Sequence, residues 1–217
     1  MATLHMKSTD LTTIAGLRGT GKTTLSNYLA KLCGDNVLIY DPMNQYTSFK
    51  PELRYIPKSD SMSEFDAVCR RVIARGNMVF FIEEAERYLG QGKLLGPDSY
   101  NLINRGRNWG IGVVAVTRRI QRLSKDYFDL CDNIIFFRCG TQSLKIRGYL
   151  EEMIGSSICG QIRQLREHHF LFYNIETETA VERWLEFAGE TAHLKEGKEK
   201  ATMPVEKETT SKRRGSA

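Results

Sequence analysis

The stretch IAGLRGTGKTTLSNYLAKL, residues 14–32, decides the fold of this chain of 217 residues. Residues 16–23 match the pattern GxxxxGK[ST], with an apolar stretch before them and a helix-like pattern after them. In such a loop the backbone N–H groups turn inward and hold phosphate oxygens at the positive end of a helix. The stretch therefore predicts a strand, a phosphate-binding loop (P-loop), a helix and a nucleoside triphosphate site.

The residues of this loop have separate expected roles. We expect Lys22 to reach the β- and γ-phosphate oxygens and the Thr23 hydroxyl to coordinate Mg²⁺. The residues expected to bind the nucleotide are Gly16, Arg18, Gly19, Thr20, Gly21, Lys22, Thr23 and Thr24. The motif does not choose between ATP and GTP, and no NKxD-type guanine signal follows it in the chain.

Two carboxylates follow the most apolar stretch of the sequence. Met78–Ile82 reads as a buried strand, and Glu83 and Glu84 come directly after it. Ligands bind at the carboxyl ends of strands in open α/β sheets. We expect Glu83 to hold the Mg²⁺ shell and Glu84 to orient and deprotonate an attacking water. Glu86 fits better as the acidic first turn of a helix.

Apolar stretches alternate with helix-like segments along the chain, which is typical of a parallel sheet covered by helices. The predicted strands are residues 11–15, 36–40, 78–82, 112–116 and 133–137, with 169–173 as an added strand. The predicted helices are residues 22–32, 63–75, 99–108, 144–154 and 180–188. We expect one α/β domain over residues 1–189. Residues 190–217 lose aromatics and read as a flexible charged tail.

Composition and charge exclude several classes of protein. The longest apolar stretch has five residues, far below the roughly 18 that a membrane span needs. No export signal opens the chain, so we expect a cytoplasmic location. The five cysteines form no CxxC pair, which fits neither a disulfide framework nor a zinc site. The net charge of +5 is mild, but residues 105–125 carry six Lys or Arg and no acidic residue.

The chain resembles the HerA/FtsK superfamily of ring-forming DNA-translocating ATPases, and within it the small genome-packaging ATPases of viruses and phages. The resemblance covers about residues 11–139 and rests on GLRGTGKTT, VLIYDP, MVFFIEEAERYL and RGRNWGIGVVAVTRR leading into CDNIIFFR. It implies a P-loop NTPase fold of the additional-strand, catalytic-glutamate type. That fold has a mostly parallel sheet of order 5-1-4-3-2 flanked by helices, here with a C-terminal strand and helix added.

The resemblance also implies roles for single residues. Arg107 matches the arginine finger that reaches a neighbouring subunit's γ-phosphate, with Arg105 as the second candidate, and Thr117 matches the γ-phosphate sensor. The chain departs from the family at Arg118, where a Gln is usual, and at Glu83, where an Asp is commoner. Asp41 and Pro42 form an expected turn near the site.

The implied activity is ATP hydrolysis with Mg²⁺, coupled to translocation of double-stranded DNA by a ring of five or six copies. A host-cell location and a capsid or portal partner follow if the chain is viral. Arg119, Arg122, Lys125 and Lys93 are the candidate DNA contacts, because Lys and Arg grip phosphates of any sequence. Three alternatives stay open: a small-molecule P-loop kinase, a HerA-like cellular DNA-processing ATPase and a nucleotide-gated binding subunit with little turnover.

Overall fold

A computed structural model of the chain describes residues 6–140, 144–188 and 191–196. These described residues form nine strands and five α-helices. The strands are β1 (Leu11–Ala15), β2 (Val37–Tyr40), β3 (Arg54–Tyr55), β4 (Met78–Ile82), β5 (Ile111–Thr117), β6 (Asn133–Phe137), β7 (His169–Asn174), β8 (Thr179–Ala188) and β9 (Thr191–Glu196). The helices are α1 (Lys22–Leu32), α2 (Met62–Arg75), α3 (Pro97–Arg105), α4 (Lys125–Asp129) and α5 (Leu144–Gln164), the last broken at Gly155.

All nine strands belong to one sheet with the order β3-β2-β4-β5-β1-β6-β7-β8-β9. The strands from β3 to β6 pair in parallel, and β7, β8 and β9 each pair antiparallel with the strand before them. The five strands named in the predicted order 5-1-4-3-2 are β6, β1, β5, β4 and β2, and they lie in that order. The sheet differs from the prediction in detail, with the short β3 at one edge and three antiparallel strands at the other.

The helix predicted over residues 180–188 is wrong, because these residues form β8. The apolar residues of AVERWLEFA recur at a spacing that suits a helix as well as a strand, so periodicity alone could not decide. Pairing decides it. Six residues of β8 pair with β7 in an antiparallel hairpin, from Asn174 opposite Thr179 to His169 opposite Trp184. Tertiary pairing of this kind overrides local propensity.

One described strand lies within the range predicted as a tail. Thr191–Glu196 pairs with β8 as β9, so regular pairing continues beyond residue 190. An exposed edge of β8 offers backbone N–H and C=O groups that a following segment can satisfy. Residues 197–217, the rest of the predicted tail, lie outside the described residues.

The helices cover the two faces of the sheet unequally. One face packs against α1, through apolar residues such as Leu25 and Phe81. The other face packs against α2, α3, α4 and α5, through residues such as Phe65, Phe80 and Leu150. Neighbouring strand residues point to opposite faces, so one strand such as β4 serves both cores. Within the described residues, none of the helices has the length and apolar composition needed to cross a membrane.

Candidate nucleotide-binding site

The loop over residues 16–21 connects the carboxyl end of β1 to the start of α1. It is tied to the neighbouring strands, because the Gly16 N–H donates to the Thr117 carbonyl at 3.3 Å and the Leu17 N–H to the Arg138 carbonyl at 3.0 Å. Gly21 has a φ of 106°, a conformation that glycine adopts without steric cost. At Gly16, a Cβ would come within 2.6 Å of the Phe137 Cβ. The glycines therefore let the loop turn back tightly over β6.

Lys22 is the first residue of α1, and only 8% of it is exposed. Its Nζ donates to the Leu17 carbonyl at 2.7 Å, and the Thr20 Oγ1 donates to the same carbonyl at 2.8 Å. Burial lowers the pKa of Lys22, and the negative charge of Glu83 opposes that shift. The loop thus wraps around an ammonium group that has an acidic partner nearby.

Glu83 follows β4 and is 5% exposed. Its Oε1 accepts hydrogen bonds from the Tyr46 hydroxyl and from the Ser26 Oγ, the latter at 3.4 Å. Burial raises the pKa of Glu83 to about 7, while the hydrogen bond from Tyr46 and the charge of Lys22 pull it down. The structure therefore sets a desolvated carboxylate close to the ammonium of the loop.

The turn after β2 holds two further groups against this site. Asp41 is buried and accepts from the backbone N–H groups of Gln45 and Tyr46, both at 2.9 Å. This turn brings the Gln45 Oε1 within 3.4 Å of the Thr23 Oγ1 and points the Tyr46 hydroxyl at Glu83. The expected turn at Asp41 and Pro42 lies at the site, but sequence reasoning gave no role to Gln45 or Tyr46.

Glu84 has a left-handed backbone, with φ 49° and ψ 44°. Such a conformation is uncommon outside glycine and tends to persist at functional sites. Its side chain is 12% exposed and bridges two arginines, with Oε1 at 2.9 Å from the Arg118 Nη2 and Oε2 at 2.6 Å from the Arg87 Nη2. The carboxylate expected to activate water is therefore held by two guanidinium groups.

Thr117 ends β5, next to Ala15 of β1 in the parallel register. Its Oγ1 donates to the Glu86 Oε2 at 2.7 Å, and the Arg118 N–H contacts the Glu86 Oε1 at 3.4 Å. Glu86 lies in a short 3₁₀ turn, Ala85–Arg87, rather than in the first turn of an α-helix. It therefore links the ends of β4 and β5, a contact that sequence reasoning missed.

These segments enclose one cavity of about 330 Å³. Its lining residues come from the P-loop, from the turn after β2 and from the carboxyl ends of β4 and β5. They are Arg18, Gly19, Lys22, Thr23, Met43, Gln45, Glu83, Glu84, Val116, Thr117 and Arg118. Four further residues predicted to bind nucleotide belong to the loop and the helix start beside this cavity: Gly16, Thr20, Gly21 and Thr24. The structure thus brings Lys22, Thr23, Glu83, Glu84 and Thr117 to a single cavity.

Arg107 lies elsewhere. It precedes β5 and pairs with Asp132, which precedes β6, with Nη2 at 2.6 and 2.8 Å from the two carboxylate oxygens. Both residues therefore lie at the amino ends of parallel strands, whereas the cavity lies at the carboxyl ends. Arg105, at the end of α3, is close to Arg107 in the chain. The structure does not bring Arg107 to the cavity of its own chain, and its role towards a neighbouring subunit stays a prediction.

The candidate DNA contacts occupy two loops that are joined to each other. Lys93 lies in the loop after β4, and Arg119, Arg122 and Lys125 lie in and after the loop that follows β5. The Gln91 N–H donates to the Arg122 carbonyl at 2.8 Å, and the Ser124 N–H to the Leu89 carbonyl at 2.9 Å. All four basic side chains are exposed. Their contact with DNA stays a prediction.

Comparisons with known proteins identify solved structures that share this fold. No family model matches the chain, and no curated protein matches it. Among solved structures, it is similar to the genome packaging NTPase B204 of Sulfolobus turreted icosahedral virus 2. With AMPPCP bound, the TM-score is 0.70 at 19% identity, covering 82% of this chain and 98% of that chain. With ATP-gammaS bound, the TM-score is 0.72 at 18% identity, with the same coverage.

B204 of Sulfolobus Turreted Icosahedral Virus, the DNA-packaging ATPase, gives a TM-score of 0.72 at 17% identity, covering 82% of this chain and 98% of that chain. Identity at this level establishes a shared fold. The chain therefore has the α/β fold of a P-loop NTPase like B204, and the resemblance stated from sequence is confirmed at the level of the fold.

Proposed function

We propose that this chain is an ATP-hydrolysing motor that translocates double-stranded DNA, and that it packages a viral genome into a capsid. The observation that carries the proposal is the cavity at the carboxyl ends of β1, β4 and β5. It collects the buried ammonium of Lys22 and the two carboxylates Glu83 and Glu84 in the fold of a P-loop NTPase. ATP hydrolysis requires a cation that binds the phosphates and, beside it, carboxylates that hold the metal ion and orient the attacking water.

The chain's own residues account for the hydrolytic step. Lys22 neutralises negative charge on the β- and γ-phosphates, and Thr117, which lines the same cavity, hydrogen-bonds the γ-phosphate. Glu84 accepts a proton from water as the water oxygen bonds to the γ-phosphorus. The bond from that phosphorus to the bridging oxygen breaks, and ADP leaves with inorganic phosphate as the second product. Water supplies the oxygen that joins the phosphate and the proton that Glu84 accepts.

The residues present fit a Mg²⁺ ion. Thr23 and Glu83 both line the cavity, and both offer oxygen, the ligand atom that Mg²⁺ prefers. Burial desolvates the Glu83 carboxylate and raises its pKa, and a cation bound beside it would favour its charged form. Thr23 and Glu83 would hold the ion directly or through water, and the ion would neutralise charge on the phosphates.

The position of Arg107 supports the proposal that several copies of the chain assemble. It cannot serve the cavity of its own chain, because it pairs with Asp132 at the opposite ends of the strands. Its side chain is 62% exposed and is therefore open to a neighbouring subunit. We assign it as an arginine finger acting in trans within a ring of five or six copies, which couples hydrolysis to the subunit interface.

DNA is the proposed cargo. Lys93, Arg119, Arg122 and Lys125 present positive charge from two joined loops, and phosphate contacts suit a motor that must accept any sequence. B204 is described as a DNA-packaging ATPase, and carrying that role to this chain is part of the proposal. A capsid or portal protein would be the second partner, and the cytoplasm of a host cell the place of action.

Phosphate release with and without double-stranded DNA tests the proposal, together with the molecular mass in solution with ATP and Mg²⁺. We expect DNA to stimulate phosphate release and to lose that effect as salt rises, because the contacts are to phosphates. We expect a mass of five or six copies of the 24.8 kDa chain. A monomer that ignores DNA and transfers phosphate to a nucleoside or a small acid would contradict the motor and support a kinase.

A further inference from the structure

The proposed function assigns no role to Arg118. It follows Thr117 at the end of β5, where the resembling family usually carries Gln. Its side chain is 45% exposed and lines the cavity that also contains Lys22 and Thr23. Its backbone is fixed on one side by β5 and on the other by the N–H contact to Glu86. The guanidinium therefore lines the cavity while nearly half of the side chain is open to solvent.

The charges around Arg118 make its present partner replaceable. Its Nη2 lies 2.9 Å from the Glu84 Oε1, and the same carboxylate also binds the Arg87 Nη2 at 2.6 Å. Arg87 has a second carboxylate, Asp60, at 3.0 Å, which keeps it on the far side of Glu84. An ion pair with a half-exposed arginine contributes little energy, so a nearby phosphate with more negative charge can compete for the guanidinium.

Arg118 and Lys22 also act on each other. Arg118 and Lys22 line the same cavity, so the two cations face one shared space. Two cations at one cavity repel each other, and an anion between them relieves that repulsion. A triphosphate held by Lys22 would place its terminal phosphate where such an anion is favoured.

We propose that Arg118 is a γ-phosphate-binding residue acting in cis, which exchanges its ion pair with Glu84 for one with the γ-phosphate when ATP binds. This inference rests on the proposed function, because it requires Lys22 to hold a triphosphate. The exchange frees one carboxylate oxygen of Glu84 when ATP, with its γ-phosphate, is bound. Glu84 is then available to orient water only in the presence of a γ-phosphate, so Arg118 links substrate recognition to the release of the base.

Binding of ATP-gammaS and of ADP to the full chain with Mg²⁺, followed by calorimetry, tests the proposal. Arg118→Ala should weaken ATP-gammaS binding by about tenfold and leave ADP binding within about twofold, because charge-assisted hydrogen bonds to a phosphate are among the stronger ones. Arg118→Lys should keep part of the preference for the triphosphate. Arg147→Ala is the matched control, since Arg147 is 44% exposed and also pairs with a carboxylate, Glu151. It should bind both nucleotides as the wild type does.

A double-mutant cycle tests the exchange itself. Glu84→Gln removes the competing carboxylate, so it should tighten ATP-gammaS binding by about two- to fivefold when Arg118 is present. The same substitution in an Arg118→Ala background should give a smaller gain. Equal gains in both backgrounds would show that Glu84 and Arg118 do not compete and would overturn the exchange.

Two other outcomes overturn the role of Arg118 and leave the proposed function standing. One is an equal loss of ATP-gammaS and ADP affinity in Arg118→Ala. The other is unchanged affinity for both nucleotides with slower turnover, which would make Arg118 only a support for Glu84. A wild-type chain that binds neither nucleotide contradicts the inference and the proposed function together. Thermal melting of each variant separates these results from a failure to fold.

Discussion

The Tyr46 hydroxyl donates a hydrogen bond to the Glu83 carboxylate, and both side chains are buried. Tyr46 comes from the turn after β2 and Glu83 from the end of β4, so the bond joins two neighbouring strands at their carboxyl ends. Burial raises the pKa of Tyr46 well above its usual value, with the charge of Glu83 as the next cause, so the phenol stays protonated and donates. The Tyr46 phenol therefore holds in position the Glu83 carboxylate, which we assign to the metal.

Removing that donor should cost stability. Tyr46→Phe leaves the buried carboxylate with one fewer hydrogen bond, which we expect to lower the free energy of unfolding by about 1–3 kcal/mol. Urea denaturation without nucleotide or metal measures the change. Tyr100→Phe is the control, because Tyr100 is 54% exposed. It should shift the free energy of unfolding by less than about 0.5 kcal/mol, and a Tyr46→Phe protein as stable as that control would contradict the role of the bond.

Glu64 makes the stability of the fold depend on pH in the acidic range. The backbone N–H of Lys58 and the side chain of Ser59, with the Tyr55 hydroxyl, hydrogen-bond its carboxylate and lower its pKa to about 2. A lowered folded-state pKa stabilises the fold above pH 4.5, and that stabilisation is lost as pH falls towards 2. Glu64→Gln should therefore melt below the wild type at pH 7, by a margin that shrinks at pH 3.

Thermal melting at the two pH values measures that margin. Glu52→Gln serves as the matched control, since Glu52 is an exposed carboxylate in a short 3₁₀ turn. Its melting temperature should follow the wild type at both pH values. A Glu64→Gln margin that is equal at pH 7 and pH 3 would show that the carboxylate charge has no part in stability.

The close approach of the P-loop to β6 predicts an effect of Gly16→Ala. The added Cβ would lie 2.6 Å from the Phe137 Cβ and 3.3 Å from its Cα, so backbone must shift. Such overpacking should destabilise the chain by about 1–3 kcal/mol. Gly148→Ala in α5 is the control, because no atom outside its own stretch of helix lies within 4 Å of its added Cβ. It should be neutral or stabilising, and a Gly16→Ala protein that matches it in chemical denaturation would refute the close packing.

Arg107 should matter for hydrolysis between subunits and little for folding. The Arg107 side chain is 62% exposed in its ion pair with Asp132, so Arg107→Ala should change the free energy of unfolding by less than about 1 kcal/mol. Hydrolysis should fall by a factor of about 10³ or more if the residue acts as a finger. Mixing Arg107→Ala with Glu84→Gln subunits should restore part of the phosphate release, because some interfaces then join an intact base to an intact finger. Failure to restore it at every mixing ratio would leave the trans role without support.

Much of the fold could be predicted from sequence because one motif fixes a strand, a loop and a helix in succession. Apolar stretches then placed four further strands, and the order of those five strands followed from the family resemblance. The added strand predicted at residues 169–173 is confirmed as β7, but the segment after it could not be predicted in this way. Ala180–Ala188 has apolar spacing that suits two structures, and its pairing with β7 and β9 decides between them.

The residues that line the candidate site could be predicted where they follow a strand or a motif, as Lys22, Glu83 and Glu84 do. It was missed where a contact depends on how distant segments meet, as with Tyr46, Gln45 and Glu86. Ser26 was within reach of sequence reasoning, because it lies four residues after Lys22 and therefore on the same face of α1. The contact of Arg118 with Glu84 could not be anticipated, because these residues are distant in the sequence, whereas Arg87 lies only three residues after Glu84.

The proposed hydrolysis requires Lys22 and Glu84 to act on one triphosphate, and parallel measurement of ATP binding and phosphate release in Glu84→Gln and Lys22→Ala tests this most directly. Glu84→Gln should bind ATP at least as tightly as the wild type and release phosphate at least about a hundredfold more slowly, because a general base contributes about that much. Lys22→Ala should lose ATP binding itself. Phosphate release by Glu84→Gln at the wild-type rate, or full ATP affinity in Lys22→Ala, would contradict the account.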